Sequence, residues 1–122
     1  MVRKIEWNKR AITELYAIVS YWLEQDAKQA AFNFNEKVKE SINKLHDNRT
    51  VGRKAPNAKT IFFVLIGKNH RMYYRKIGST IRIVSFLDTR QDPNALISEY
   101  FLLYSNKNGD DTPQYYHRFL MF

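Results

Sequence analysis

The sequence predicts an α+β domain with the element order β-α-α-β-β-β, in which an N-terminal helical hairpin packs on a small antiparallel sheet. Two observations lead to this fold class. Apolar residues alternate loosely up to Trp7 and then recur with a helical period through two successive segments. Three β-type runs separated by short turns follow a polar loop. A chain of 122 residues that is 44% hydrophobic suits one domain with its own core.

The first strand and the two helices are predicted from periodicity and capping residues. Residues 2–7 are predicted as a short strand. Asn8 can cap the N-terminus of a helix that runs to about Glu24, because its side-chain oxygen can accept an unpaired backbone N–H. A second helix is expected to begin at Asp26, with Gln29 completing a capping box. The apolar stripes that define these helices are Ala11, Ile12, Leu15, Ile18, Val19, Trp22 and Leu23, then Ala30, Ala31, Phe34, Val38, Ile42 and Leu45.

The second half of the chain is predicted as a loop followed by a three-stranded meander. Residues 47–59 contain Gly52 and Pro56 and are predicted as a loop. Strands are expected at 60–66, 71–77 and 80–87; the first is nearly all apolar, which is typical of a strand covered on both faces. Gly78 and Ser79 form a two-residue hairpin turn.

The C-terminal part is predicted as a short helix at 95–104 and a tail at 105–122, so that the domain spans residues 1–104. The last eight residues, 115–122, are unusually apolar. They are interpreted either as a frayed terminus or as a strand or anchor that docks on its own sheet or on a second chain.

Positive charge is concentrated in one third of the chain. The formal net charge is +8 and the pI is near 9.8. Between residues 51 and 91 there are nine bases and one acid, whereas the remainder has eleven of each. Such a distribution favours a polyanion or an acidic protein as partner, although basic residues can also simply keep a surface soluble. The residues expected to bind a nucleic acid or an acidic partner are Arg53, Lys54, Lys59, Lys68, Arg75 and Arg82.

Composition excludes several classes of site. The chain has no cysteine, which rules out disulfides and thiolate chemistry and suits the reducing cytoplasm. Its three histidines are scattered without paired carboxylates, and no glycine-rich phosphate loop is present. No apolar run is long enough to span a membrane, and the N-terminus does not resemble a secretory signal. We therefore expect a cytoplasmic protein without metal or cofactor.

Residues 70–76 form the densest basic and aromatic cluster. Because alternate residues of a strand share a face, Arg71, Tyr73 and Arg75 are expected to point one way. A base–aromatic–base surface can neutralise phosphates and stack on a nucleobase, although tyrosines on a sheet also pack as ordinary amphipathic rings. Asp88 and Arg90 are spaced to pair with each other or to cap the following turn.

Two local motifs, taken in this order of elements, resemble the RelE/ParE superfamily of toxins. The segment from Asn69 to Arg75, followed by Gly78, is similar to the family's hairpin motif of glycine or asparagine, x, Arg, x, x, Tyr. The segment from Asp88 to Pro93 is similar to its strand-end Asp/His-x-Arg-x-x-Pro turn. The resemblance covers roughly residues 2–97, and further matching positions are Trp7, Ala11, Leu15, Ile18, Tyr21, Leu45, Gly52 and Arg53.

The resemblance implies a toxin of a type II toxin–antitoxin system that an acidic antitoxin holds inactive. Antitoxins of this group wrap a partly helical segment over the toxin's helices and basic sheet. RelE-like members cut messenger RNA in the ribosome, whereas ParE-like members inhibit DNA gyrase without known hydrolysis.

The resemblance allows a RelE-type cleavage site to be compared with this chain, and three of its five positions lack the expected residue. A RelE-type site is built from two lysines, two arginines and a tyrosine; the arginines match Arg71 and Arg90. Phe62 and Val64 stand at the lysine positions and Leu96 at the tyrosine position, with Tyr100 one turn further on. Substitutes for the missing groups could be His70, Lys59, Lys68 or Tyr73.

Three hypotheses follow from this comparison with the superfamily. The first is a ParE-like toxin that acts by binding, with gyrase as the default target. The second is a RelE-like ribonuclease with Arg71, Arg90, His70 and Tyr73 around the scissile phosphate. The third is an antitoxin-binding module that has lost toxicity and serves in autoregulation.

Overall fold

The structure, a computed structural model, describes residues 3–49, 52–55 and 60–90 and contains two helices and five strands in that part of the chain. The elements are β1 (Lys4–Trp7), α1 (Lys9–Glu24), α2 (Lys28–His46), β2 (Arg53–Lys54), β3 (Ile61–Ile66), β4 (His70–Ile77) and β5 (Thr80–Asp88). The predicted order β-α-α-β-β-β is confirmed. The short strand β2 is an addition, because it lies within the segment that was predicted as a loop. Neither of the two described helices is long and apolar enough to cross a membrane.

The structure confirms one of the two predicted helix caps. Asn8 adopts an extended backbone and its Oδ1 accepts a hydrogen bond from the N–H of Ala11 at 3.3 Å. The predicted cap at Asp26 is wrong, since α2 begins two residues later and has no side-chain cap. Asp26 instead has a φ of 56° and ends α1, with its own N–H and that of Ala27 bonded to the carbonyls of Leu23 and Trp22.

The five strands form one mixed sheet in the order β1-β5-β4-β3-β2. The three meander strands and β2 pair antiparallel, while β1 lies parallel to β5 with Ile5 opposite Ile81. The parallel pairing arises because the helical hairpin carries the chain back across one face of the sheet before the meander begins. The two edge strands of the described sheet, β1 and β2, are both short.

The main core lies between the helical hairpin and one face of the sheet. Trp7 from β1, Leu15 from α1, Leu45 from α2 and Tyr74 from β4 are among its buried members. A second, smaller cluster on the opposite face contains Ala55, Ile61, Tyr73, Val84 and Leu87, with Phe63 packed against it. We call these two sides the helix face and the outer face.

Strand β3 is less buried than its apolar sequence predicted. Ile61 and Ile66 are buried, but Phe62, Phe63 and Val64 are half-buried and Leu65 is 52% exposed. The expectation of a strand covered on both faces is therefore wrong on the outer side of its second half, where Leu65 is exposed. In that half, β2 no longer accompanies β3, because β2 pairs only with Phe62 and Phe63.

Several predictions fall outside the described residues. These are the helix at 95–104, the tail at 105–122, the domain boundary between them, and the positions of Lys59, Leu96 and Tyr100.

Candidate functional site

The outer face of the sheet carries a set of arginines. Arg71 and Arg75 alternate with Tyr73 along β4, as predicted, and Arg82 is the cross-strand partner of Arg75. Arg53 stands opposite Phe63, which belongs to the same face. Among the described strand residues, Glu6 is the one acid on this face. Part of the surplus charge is thus gathered on one side of the sheet.

Arg82 and Tyr73 are less accessible than the sequence suggested. Arg82 is 9% exposed, and its Nη2 donates to Glu6 Oε1 at 3.2 Å. Lys4 Nζ lies 3.6 Å from the other oxygen of Glu6. Tyr73 is 1% exposed and packs in the outer-face cluster, so its ring cannot stack on a base from solution. The expected base–aromatic–base surface therefore has a buried tyrosine at its centre.

A different aromatic ring accompanies the arginines. The guanidinium carbon of Arg71 lies 5.1 Å from the ring centroid of Phe63, within the range of a cation–π contact. Leu65 is the cross-strand partner of Arg71 and is exposed. Phe63 was not singled out in the sequence because β3 looked like an ordinary buried strand.

A cleft of about 430 Å³ lies on the other side of the molecule, between α1 and the ends of β4 and β5. The helix contributes an apolar wall, and the strands contribute polar and charged groups. Its lining residues are Ala17, Ile18, Tyr21, Trp22, Asn69, His70, Asp88 and Arg90. A smaller cavity of about 250 Å³ is lined by four of the same residues and by Glu14 and Phe86.

His70 lies in this cleft against two aromatic rings. Its ring centroid is 5.9 Å from that of Trp22 and 5.0 Å from that of Phe34, both edge to face. Burial lowers the pKa of His70, and the carboxylate of Asp88, its cross-strand partner, opposes that shift. His70 is therefore mostly neutral at pH 7.

Asp88 and Arg90 form a two-point ion pair at the cleft's mouth. Arg90 Nε and Nη2 donate to the two carboxylate oxygens of Asp88 at 2.9 and 3.1 Å, and the backbone N–H of Arg90 donates at 2.8 Å. These bonds lower the pKa of Asp88 to about 2 and raise that of Arg90. The geometry matches the structural interpretation of this spacing, in which the two residues pair and close the turn after β5.

Glu14 holds α1 to an irregularity in β5. The pairing of β4 with β5 shifts register between Tyr73 and Tyr74. Glu14 Oε1 accepts hydrogen bonds there from Ser85 Oγ at 2.6 Å and from the N–H of Phe86 at 3.1 Å. Glu14 was not predicted from the sequence, where its one signal is an acid on the inner side of an amphipathic helix.

The remaining predicted residues are dispersed. Lys54 pairs opposite Phe62, on the helix-face side of the sheet, and Lys68 lies exposed in the turn between β3 and β4. Arg71 and Arg90 do not share a cluster, because Arg71 lies over Phe63 on the outer face while Arg90 is tied to Asp88 beside the cleft. The four residues proposed for cleavage are thus divided between the two faces of the sheet.

Comparisons with solved structures identify the fold. The chain is similar to a structure described as the chromosomal ParDE toxin–antitoxin system of P. aeruginosa, with a TM-score of 0.60 and 17% identity over 71% of this chain and 96% of that one. It is similar to the YoeB dimer of Staphylococcus aureus, with a TM-score of 0.50 and 19% identity over 70% and 94% of the two chains. A YoeB/ParE toxin from Agrobacterium tumefaciens matches with a TM-score of 0.48 and 16% identity over 70% and 96%.

A comparison with sequence families identifies the family. No curated protein sequence gives a significant match. The model of the family described as the ParE toxin of the type II toxin–antitoxin system parDE matches residues 5–93, which include both described helices, strands β2 to β5 and all of β1 except its first residue. Toxins of this family act in two-component systems, so membership implies an antitoxin partner. The chain belongs to the ParE toxin family of type II toxin–antitoxin systems.

Proposed function

We propose that this protein is the growth-inhibiting toxin of its pair and that it acts in the cytoplasm by binding a cellular target, with DNA gyrase as the first candidate. In this proposal the protein performs no hydrolysis. An acidic antitoxin holds it inactive until the antitoxin is removed.

The composition of β3 carries the proposal. Cleavage of RNA needs cations around the phosphate whose charge develops in the transition state. The RelE pattern takes two of these cations from this strand. Phe62 and Val64, at the matching positions, pack against the main core, whereas Arg71 lies on the outer face. All six residues of β3 are apolar, so neither of its faces can supply the missing pair.

The proton-transfer groups give a second argument. Cleavage also needs a base for the 2′-oxygen and an acid for the leaving oxygen within hydrogen-bond reach of the same phosphate. Tyr73 lies on the outer face with Arg71 but is buried. His70 is in the cleft on the helix side, against Trp22 and Phe34. This separation favours binding over catalysis among the described residues.

Charge supports an acidic antitoxin as the partner. In the described sheet, the outer face carries several arginines but only one carboxylate, that of Glu6. An acidic segment that orders on this surface would lose conformational entropy, and the attraction between unlike charges would help to offset that loss.

The test is controlled expression without antitoxin, followed by mapping of RNA 5′ ends. We expect growth to stop without new cleavage sites in translated messages. Arg71→Ala is compared with Lys28→Ala, which removes one positive charge from an exposed position on α2. In-frame cuts that Arg71→Ala abolishes and Lys28→Ala retains would replace the proposal by a RelE-like ribonuclease.

Growth itself separates a toxin from a non-toxic module. If cells that accumulate the folded protein without antitoxin grow normally, both toxin hypotheses fail. The remaining hypothesis would then be an antitoxin-binding protein that serves only in autoregulation.

A further inference from the structure

The cleft between α1 and the ends of β4 and β5 presents an open apolar wall, which four residues of α1 form. Ala17 and Tyr21 are exposed, Tyr21 to 59%, while Ile18 and Trp22 are half-buried. The cleft encloses about 430 Å³, which is room for several side chains but not for a whole helix, whose diameter is about 10–12 Å. Apolar side chains left open around a cleft mark a surface to which another segment binds.

The chain continues well beyond the part that it shares with its family. The family model ends at residue 93, and 70–71% of this chain covers 94–96% of the S. aureus and P. aeruginosa structures. Residues 94–122 therefore extend this chain past its family match. The surface on which they pack is not determined by the fold that the family shares.

The last eight residues combine apolar side chains with positive charge. Six of the eight are aromatic or aliphatic, the other two are His117 and Arg118, and none is an acid. Burying such side chains is favourable, because their apolar surface is removed from water. We call residues 115–122 the aromatic tail.

Charge distinguishes the cleft from the outer face as a surface for this tail. The outer face carries several arginines, Arg71 and Arg75 among them, and repels a basic segment. The cleft and the smaller cavity next to it are lined by two acids, Glu14 and Asp88, and one base, Arg90. An apolar wall beside these carboxylates complements the composition of the aromatic tail.

We propose that the aromatic tail docks in the cleft of its own chain, with its apolar side chains on Ile18, Tyr21 and Trp22 and its cations toward the carboxylates at the strand ends. The link between Arg90 and the tail is long enough, since residues 91–114 reach about 80 Å when extended, against a radius of gyration of about 13 Å for a domain of this size. The docked tail covers α1 and leaves the outer face open. The proposal does not depend on which cellular target the toxin inhibits.

Disulfide trapping in the full chain tests the proposal, because the chain has no cysteine that could form competing bonds. Met121→Cys is combined with Ala17→Cys in the cleft, with Phe32→Cys on α2 or with Leu65→Cys on the outer face; all three positions are exposed. The pair with Ala17 should close about tenfold faster than the other two, since docking raises the effective concentration of one thiol near the other. A second series with Tyr116→Cys samples the other end of the tail.

A cysteine between the described domain and the tail separates docking from mere tethering. Ser105→Cys is closer to Arg90 along the chain than Met121→Cys is, so its loop to Ala17→Cys is shorter and closes more readily if the tail is free. If the tail is docked, the cysteine in the tail should close faster in spite of its longer loop.

Acrylamide quenching of tryptophan fluorescence gives a second reading that needs no cysteine. Trp7 is 1% exposed, so the accessible emission comes mainly from Trp22 in the cleft. Phe119→Ser should make Trp22 more accessible to acrylamide, because it weakens the contact of the tail with the cleft. Phe32→Ser removes an exposed ring from α2 and should leave the quenching unchanged.

Several results would overturn the proposal. Equal closure at Ala17, Phe32 and Leu65, or faster closure from Ser105 than from the tail, would mean that the tail is not docked. Fastest closure at Leu65 would assign the tail to the outer face. Disulfide-linked dimers that form only at high protein concentration would assign the cleft to the tail of a second copy. Unchanged quenching in Phe119→Ser would mean that the tail does not cover Trp22.

Discussion

Replacing Gly52 by alanine should strongly destabilise the fold, because the chain packs closely against Phe63 of β3 and Tyr74 of β4 at this residue, directly before β2. A Cβ atom at position 52 would lie 2.5 Å from the carbonyl oxygen of Phe63 and 2.6 Å from Tyr74 Oη. The N–H of Gly52 also donates to that hydroxyl at 2.7 Å. Tyr74 is fully buried, and burial raises its pKa, so the hydroxyl has little access to other partners.

The magnitude follows from these contacts. Relieving the overlap requires a shift of nearly 1 Å against backbone atoms, and overpacking of this kind costs about 1–3 kcal/mol. The shift weakens a hydrogen bond worth about 1 kcal/mol, while the loss of glycine's freedom in the unfolded chain returns about 0.5 kcal/mol. We expect Gly52→Ala to lower the free energy of unfolding by about 2–3 kcal/mol, which lowers the Tm by about 10 °C.

Thermal and urea unfolding of three single variants and one double variant test this expectation. Gly78→Ala is the control: its Cβ would meet nothing within 4 Å, and only its φ of +60° opposes the change, at about 1 kcal/mol. Tyr74→Phe should cost about 1 kcal/mol alone but almost nothing in the Gly52→Ala background, where its hydrogen bond is already disturbed. A Tm for Gly52→Ala within about 2 °C of wild type would refute the close approach of β2.

Three further predictions concern the cleft between α1 and the ends of β4 and β5 and the smaller cavity next to it. Glu14→Ala should lower the free energy of unfolding in urea by about 3 kcal/mol, because it leaves the buried hydroxyl of Ser85 and a backbone N–H without an acceptor. Glu14→Gln keeps an acceptor oxygen and should lower the free energy of unfolding by only about 1 kcal/mol. The folded-state pKa of His70 lies below its unfolded value, so protons bind the unfolded chain more tightly at this residue. The free energy of unfolding should therefore fall as the pH drops below 6.5. An equal fall of the free energy of unfolding with pH in His70→Gln would contradict this. The Arg90 ion pair holds the pKa of Asp88 at about 2, so NMR titration of the carboxyl groups should show this pKa rising toward 3.8 in Arg90→Gln. An unchanged pKa of Asp88 in this variant would mean that the ion pair is absent in solution.

Periodicity and capping chemistry predicted the helices well because both are local. The stripe of α1 and the cap at Asn8 depend on residues within four positions of each other. Asp26 misled the prediction because the same residue type caps helix N-termini and also tolerates the left-handed conformation that ends a helix. Sequence alone does not say which of two adjacent helices such a residue serves.

Two features of the sheet, the strand β2 and the register shift in β5, could not be predicted from the sequence because they depend on how the strands pair. Strand β2 has two residues, too few for a periodic signal, and exists because Gly52 lets the chain approach β3. The register shift next to Tyr73 is stabilised by hydrogen bonds between β5 and Glu14, which lies more than 70 residues earlier in the chain.

The sequence predicted which charged residues lie at the candidate site better than it predicted their burial and contacts. The prediction that Arg71 and Arg75 share a face with Tyr73 is confirmed, because alternation in a strand is a local property. The burial of Tyr73 and the pairing of Arg82 with Glu6 arise from neighbours on other strands. The aromatic partner of Arg71 proved to be Phe63, which comes from the adjacent strand.

The most direct test of action by binding is a titration of purified gyrase with the purified protein in a supercoiling assay, alongside a ribosome-programmed messenger RNA. If the protein acts by occupying its target, inhibition should reach its limit near one molecule per binding site on the gyrase, and the message should stay intact. Cleavage of many messages per molecule of protein, with supercoiling unaffected, would contradict the account.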